Sequence, residues 1–102
     1  IPLEQGIDGA HYLAVLDEHV IPTVQRFAPD FLVLCAGFDT YVKDPVGRFS
    51  LTQDDYHPVG ERFGRLGLPT LVVQEGGYYA PHLGRLVTTF LHGVRDGQKA
   101  PD

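Results

Sequence analysis

Ala10, Leu13, Leu16, Val20, Val24 and Phe27 recur at steps of three and four. That spacing gathers apolar side chains on one face of a helix. Asp8 stands just before Gly9, where its carboxylate can cap the first free backbone N–H groups. Pro22 lies inside the pattern and lacks an N–H, so a kink or an end to the regular helix is expected there. After the connector Ala28-Pro29-Asp30 the pattern changes. FLVLCA, residues 31–36, is continuously apolar and bounded by Pro29-Asp30 and Gly37. Such a run suits a strand buried on both faces, as in a parallel sheet. A loop follows from Gly37 to Leu51. Thr52-Gln53-Asp54-Asp55 then resembles a capping box with Asp in place of Glu. The helix it opens carries Tyr56, Val59, Phe63 and Leu66 on one face and ends at Gly67. TLVVQ, residues 70–74, is the second strand candidate, and EGGYY, residues 75–79, is a turn. HLGRLVTTFLHGV, residues 82–94, predicts a third helix with Leu83, Leu86, Val87, Phe90, Leu91 and Val94 on its apolar side.

The order is α-β-α-β-α. Buried strands alternating with helices predict an α/β layer with a parallel sheet. Two strands are few for an independent sheet. More strands from elsewhere, or pairing of the edges with another copy, are therefore expected. We assign residues 1–94 to this α/β portion and residues 95–102, RDGQKAPD, to a polar tail expected to fray.

Composition narrows the function classes. The chain has 102 residues, 43% hydrophobic and 21% charged, in keeping with one ordinary globular domain at most. Its net charge of −5, without a Lys/Arg cluster, argues against nucleic acid and anionic membranes as partners. No apolar run approaches the ~20 residues of a membrane-spanning helix. Cys35 is the single cysteine. It excludes an internal disulfide, and a cytoplasmic, reducing location is expected. Mid-strand, Cys35 is expected to be an inert core residue. The chain opens on Ile-Pro and contains no Met, so a piece of a longer protein is expected.

Ligands of open α/β sheets bind beyond the C-terminal ends of the strands. Asp39 and Asp44 follow the first strand. Glu75, Gly76, Gly77, Tyr78 and Tyr79 follow the second. Neighbouring parallel strands would bring these loops to one rim. By itself the pattern is weak, because Gly, Asp and Tyr are common in loops. A turn aspartate is the default for Asp44-Pro45, and a packed tyrosine with a satisfied hydroxyl is the default for Tyr78.

Longer stretches alter that balance. Pro29-Asp30 with the apolar run and Gly37-Phe38-Asp39, then DPVGRFSLT from Asp44 to Thr52, then Glu75-Gly76-Gly77-Tyr78 and the later Leu83-Gly84, follow one another in order. Together they resemble the C-terminal part of the histone deacetylase superfamily, from about Ile1 to Val94. Within it, the acetylpolyamine amidohydrolases and class II-like deacetylases are the nearest branch. The resemblance implies a three-layer arginase/deacetylase-like fold, of which this chain would be a part, and a zinc-dependent amidohydrolase acting on acetylated amines. It makes Asp44 a zinc ligand and Tyr78 the donor to the substrate carbonyl. It also makes Leu51 a residue lining the substrate channel. Gly76 and Gly77 would let the backbone pass close to the site and place Tyr78. Asp39 is not a ligand in this alignment and is expected to brace the loop by accepting backbone N–H bonds.

The departures matter as much. The family's other two zinc ligands, from an Asp-x-His segment, and its pair of acid/base histidines lie upstream of the region that resembles this chain. None of His11, His19, His57, His82 and His92 stands in an Asp-x-His or His-His arrangement. Four of them are expected to be non-ligands, with a small role left open for His57. The chain alone is therefore expected to hydrolyse no amide. A free-standing, non-catalytic α/β module that self-associates through an exposed sheet edge is the alternative. A nucleotide-binding domain ranks last, because GFDT lacks the phosphate-loop glycine spacing.

Overall fold

The computed structural model describes residues 1–100, so Pro101 and Asp102 of the expected tail lie outside the described residues. Helix α1 spans Gly9–Val15 and is capped by Asp8, whose carboxylate accepts the His11 N–H at 2.9 Å. The chain leaves the regular α-helix before Pro22. It widens into a π-helical turn over Leu16–Val20, where the Ile21 N–H reaches back to the Leu16 carbonyl, and then continues as α2, Ile21–Phe27. The widened turn comes just before the proline, whose ring would otherwise press on the carbonyl four residues earlier.

Strand β1, Leu32–Ala36, pairs in parallel with β2, Thr70–Gln74, with Leu34 opposite Val72. Between them lie the Gly37–Leu51 loop, a 3₁₀ turn at Gln53–Asp55 and helix α3, Tyr56–Gly64. The capping box forms as expected, with the Thr52 N–H donating to the Asp55 carboxylate at 2.7 Å. Helix α4 runs over Ala80–Lys99, beyond the expected end at residue 94. Its last turns are held by packing rather than by an apolar stripe. Gly93 and Gly97 lie against α3, and Gly60 and Gly64 lie against α4. A Cβ at any of the four would collide with a backbone carbonyl of the facing helix.

The core gathers on one side of the sheet. Ala36, Phe38, Tyr56, Val59, Phe63, Leu86, Phe90 and Val94 are buried, with Leu32, Leu34 and Val72 packed against them. Phe38 meets Phe90 edge to face, with ring centroids 5.7 Å apart. The other side corrects the sequence reading. Val33 and Leu71, paired across the strands, are 63% and 61% exposed, and Phe31, Cys35 and Val73 are exposed with them. Cys35 is thus not a core residue in this chain. Side chains alternate along a strand, and the described residues put helices on one face only. Leu91 is likewise exposed rather than on the apolar side of α4.

Candidate functional site

Parallel pairing aligns the C-terminal ends of β1 and β2, so the loops after them meet. The Glu75 N–H donates to the Ala36 carbonyl at 2.9 Å and the Phe38 N–H to the Gly76 carbonyl at 2.8 Å. Gly76 has no room for a side chain, because a Cβ would press on the Asp39 carboxylate. Gly77 takes φ +142, a conformation L side chains rarely adopt, and the Phe38 and Leu83 side chains close in on it. These two glycines hold the turn tight against the first loop.

Asp44 is the polar centre of the arrangement and is only 8% exposed. Its Oδ1 accepts the Val46 and Gly47 N–H groups at 2.8 and 2.9 Å. Its Oδ2 accepts the Tyr78 N–H at 2.8 Å. One carboxylate therefore ties its own turn to the turn after β2. Burial by itself would raise the Asp44 pKa. The backbone N–H groups of Tyr78, Gly47 and Val46 outweigh it and hold the carboxyl below the usual range.

The roles expected of the two aspartates change places in one respect. The Asp39 carboxylate, expected to brace the loop through backbone N–H groups, accepts no hydrogen bond among the described residues. It occupies the space that Gly37 and Gly76 leave by lacking side chains. Bracing falls to Asp44, because the N–H groups of the turn converge on the second aspartate. Tyr78 is brought beside Asp44 through its backbone, while its side chain is 55% exposed. Leu51, expected to line a channel, is 1% exposed. Its N–H donates to the Thr40 carbonyl and its own carbonyl accepts the Val42 N–H, so it faces the core of this chain.

A carboxylate offers roughly four acceptor positions, and three here are taken by backbone N–H groups. One direction is left for a cation. A zinc site needs three or four protein ligands. The described residues contain no group of three or more metal-ligating side chains. The residues present therefore do not fit a zinc ion by themselves, and Asp44 is a single donor.

Two further residues were not legible as site residues. The Tyr41 hydroxyl and His82 Nδ1 lie 2.8 Å apart. Tyr41 is buried, and its carbonyl accepts the Asp44 N–H at 3.0 Å. His82 lies in the first turn of α4, 41 positions along the chain. No local spacing joins residues that far apart. His57 takes no place at this rim and pairs with Asp96 at 2.8 Å between α3 and α4.

Residues 1–94 match the family described as "Histone deacetylase domain". The chain is 41% identical over 92 residues to Acetylpolyamine amidohydrolase 1 of Pseudomonas aeruginosa, covering 90% of this chain and 26% of that protein. It is 37% identical over 103 residues to Histone deacetylase 8 of Arabidopsis thaliana, covering 92% of this chain and 26% of that protein. The crystal structure of the acetylpolyamine aminohydrolase from Burkholderia pseudomallei superposes with a TM-score of 0.90 at 36% identity. That superposition covers 95% of this chain and 28% of the other. The chain thus spans about a quarter of the length of these relatives, and its parallel sheet with helices is part of an arginase/deacetylase-like α/β fold. By sequence and by fold, the chain belongs to the histone deacetylase domain family.

Proposed function

We propose that the chain supplies the C-terminal portion of a zinc-dependent amide-hydrolysing site that removes acyl groups from acetylated amines. Acetylpolyamines are the first substrate class, and acetyl-lysine side chains the second. The observation that carries this reading is the 2.8 Å bond between the Tyr78 N–H and Asp44 Oδ2. It ties the backbone that carries Tyr78 to the Asp44 carboxylate at the strand ends, where α/β sheets bind ligands. In this reading Asp44 is one donor to a metal whose other ligands are outside these residues. The hydroxyl of the half-exposed Tyr78 donates to the amide carbonyl oxygen as that oxygen takes up negative charge. Gly76 and Gly77 keep the turn close enough for both. Leu51 shapes the channel only from beneath, through the loop it anchors.

The test uses N-acetylputrescine and an acetyl-lysine peptide with added zinc, and reads released acetate. The isolated chain releases none. In the full-length protein Asp44→Ala abolishes release, and Tyr78→Phe lowers kcat by about 10²–10³-fold, the range for loss of an oxyanion donor. Zinc-dependent release by the isolated chain, or full activity of either variant, overturns the reading.

The bare sheet face with Val33, Leu71 and Val73 favours a second reading, a non-catalytic module that self-associates. A monomer in sedimentation at high concentration counts against it.

A further inference from the structure

Three aromatic rings stand between the two site loops, and the proposed roles of Asp44 and Tyr78 do not use them. Tyr41 belongs to the loop after β1, Tyr79 is the N-terminal cap of α4, and His82 lies in its first turn. Tyr79 and His82 meet edge to face at 4.9 Å, and Tyr41 lies 6.0 Å from Tyr79 and 5.8 Å from His82 between centroids. Packing alone would leave the rings free to slide. The hydrogen bond between the Tyr41 hydroxyl and His82 Nδ1 removes that freedom.

The bonds around this cluster close a ring. Asp44 N–H donates to the Tyr41 carbonyl, Tyr41 bonds His82, the His82 N–H donates to the Tyr79 carbonyl at 3.2 Å, and the Tyr78 N–H donates to Asp44. Tyr41 is further pinned by its bridge to Leu51. Each loop is thereby fixed by two independent ties, one through Asp44 and one through Tyr41.

We propose that Tyr41 and His82 form a positioning pair, which sets the separation between the Asp44 carboxylate and the Tyr78 hydroxyl. The inference rests on the function proposed above for those two residues. Burial, with Arg85 and Lys43 nearby, holds the His82 pKa below its ordinary value. A neutral ring keeps Nδ1 able to accept the Tyr41 O–H.

The test uses the full-length protein and two readouts. Steady-state hydrolysis of N-acetylputrescine separates kcat from KM, and hydrogen exchange follows the Tyr78 amide. Tyr41→Phe and His82→Leu each lower kcat about tenfold with KM within about twofold, as a small misplacement of reacting groups does. Each also lowers protection of the Tyr78 amide about tenfold, while the Leu34 and Val73 amides of the strand pair keep theirs. His82→Asn puts an amide oxygen near the place of Nδ1 and restores both readouts. Parental kcat and parental Tyr78 protection in Tyr41→Phe overturn the pair. Protection lost equally at Leu34 and Val73, or no rescue by His82→Asn, also overturns it, because the cluster is then ordinary packing. If Asp44→Ala keeps full activity, the functional reading fails instead, and the exchange data still decide whether the pair fixes the Tyr78 turn.

Discussion

Asp44 divides its two oxygens between two loops, and that division sets what each substitution should do. In Asp44→Asn the amide oxygen can keep the Val46 and Gly47 N–H groups. The amide nitrogen then faces the Tyr78 N–H, donor against donor. A buried donor left unpaired costs about 1–3 kcal/mol. Urea unfolding of Asp44→Asn should therefore show a loss in that range, with protection falling first at Tyr78. Asp39→Asn, at a carboxylate without a hydrogen bond among the described residues, should stay within about 0.5 kcal/mol of the parent. Equal losses in the two variants would remove the distinction. From the sequence alone both aspartates were plausible loop residues. Asp-Pro by itself points to a turn, and only the family resemblance makes Asp44 the expected zinc ligand. Neither reveals that Asp44 braces the two loops, because its third bond comes from a residue 34 positions away.

At the level of elements, α3 and α4 pack backbone to backbone through four glycines. Gly60 faces the Phe90 carbonyl and Gly93 faces the His57 carbonyl, each too closely for a Cβ. Gly60→Ala and Gly93→Ala must push the helices apart, which costs roughly 1–3 kcal/mol or more. Gly84 lies in the same α4 helix with nothing around its Cβ position. Gly84→Ala should stabilise by about 0.5–1 kcal/mol, since alanine loses less backbone freedom on folding. Thermal unfolding of the three variants should show midpoints moving in opposite directions. A destabilised Gly84→Ala, or neutral Gly60→Ala and Gly93→Ala, would contradict this packing. The pattern along α4 placed its apolar face correctly at Leu86, Phe90 and Val94. It stopped short at residue 94 because the last turns are held by Gly97 against α3, and a glycine adds nothing to an apolar stripe. At Pro22 the missing N–H was read correctly as a disturbance. Its form, a widened turn over Leu16–Val20 just before the proline, is seen only in the folded chain.

For the whole molecule, the bare sheet face is the dominant physical fact. Val33, Leu71 and Val73 leave a contiguous apolar surface open, of the kind that attracts a covering partner. The purified chain should sediment above monomer mass at high concentration, and Val33→Lys with Leu71→Lys should return it to monomer without melting the inner core. An unchanged sedimentation profile in the double variant would rule out this face as the contact. The expectation of strands buried on both sides came from an apolar run, and such a run records every neighbour a strand is suited to. The described residues supply neighbours on one side only. The sequence by itself determined the element order, both strands, the capping box, the family and the two loops at the strand ends. Those features rest on local spacing and on motifs that lie within a few residues of one another. Only the tertiary structure decided that Asp44 joins the loops, that Asp39 does not, that Leu51 lies in the core, and that Tyr41 meets His82. Each of those contacts spans residues whose separation along the chain leaves no periodic trace, because it is folding around the parallel pair that brings them together.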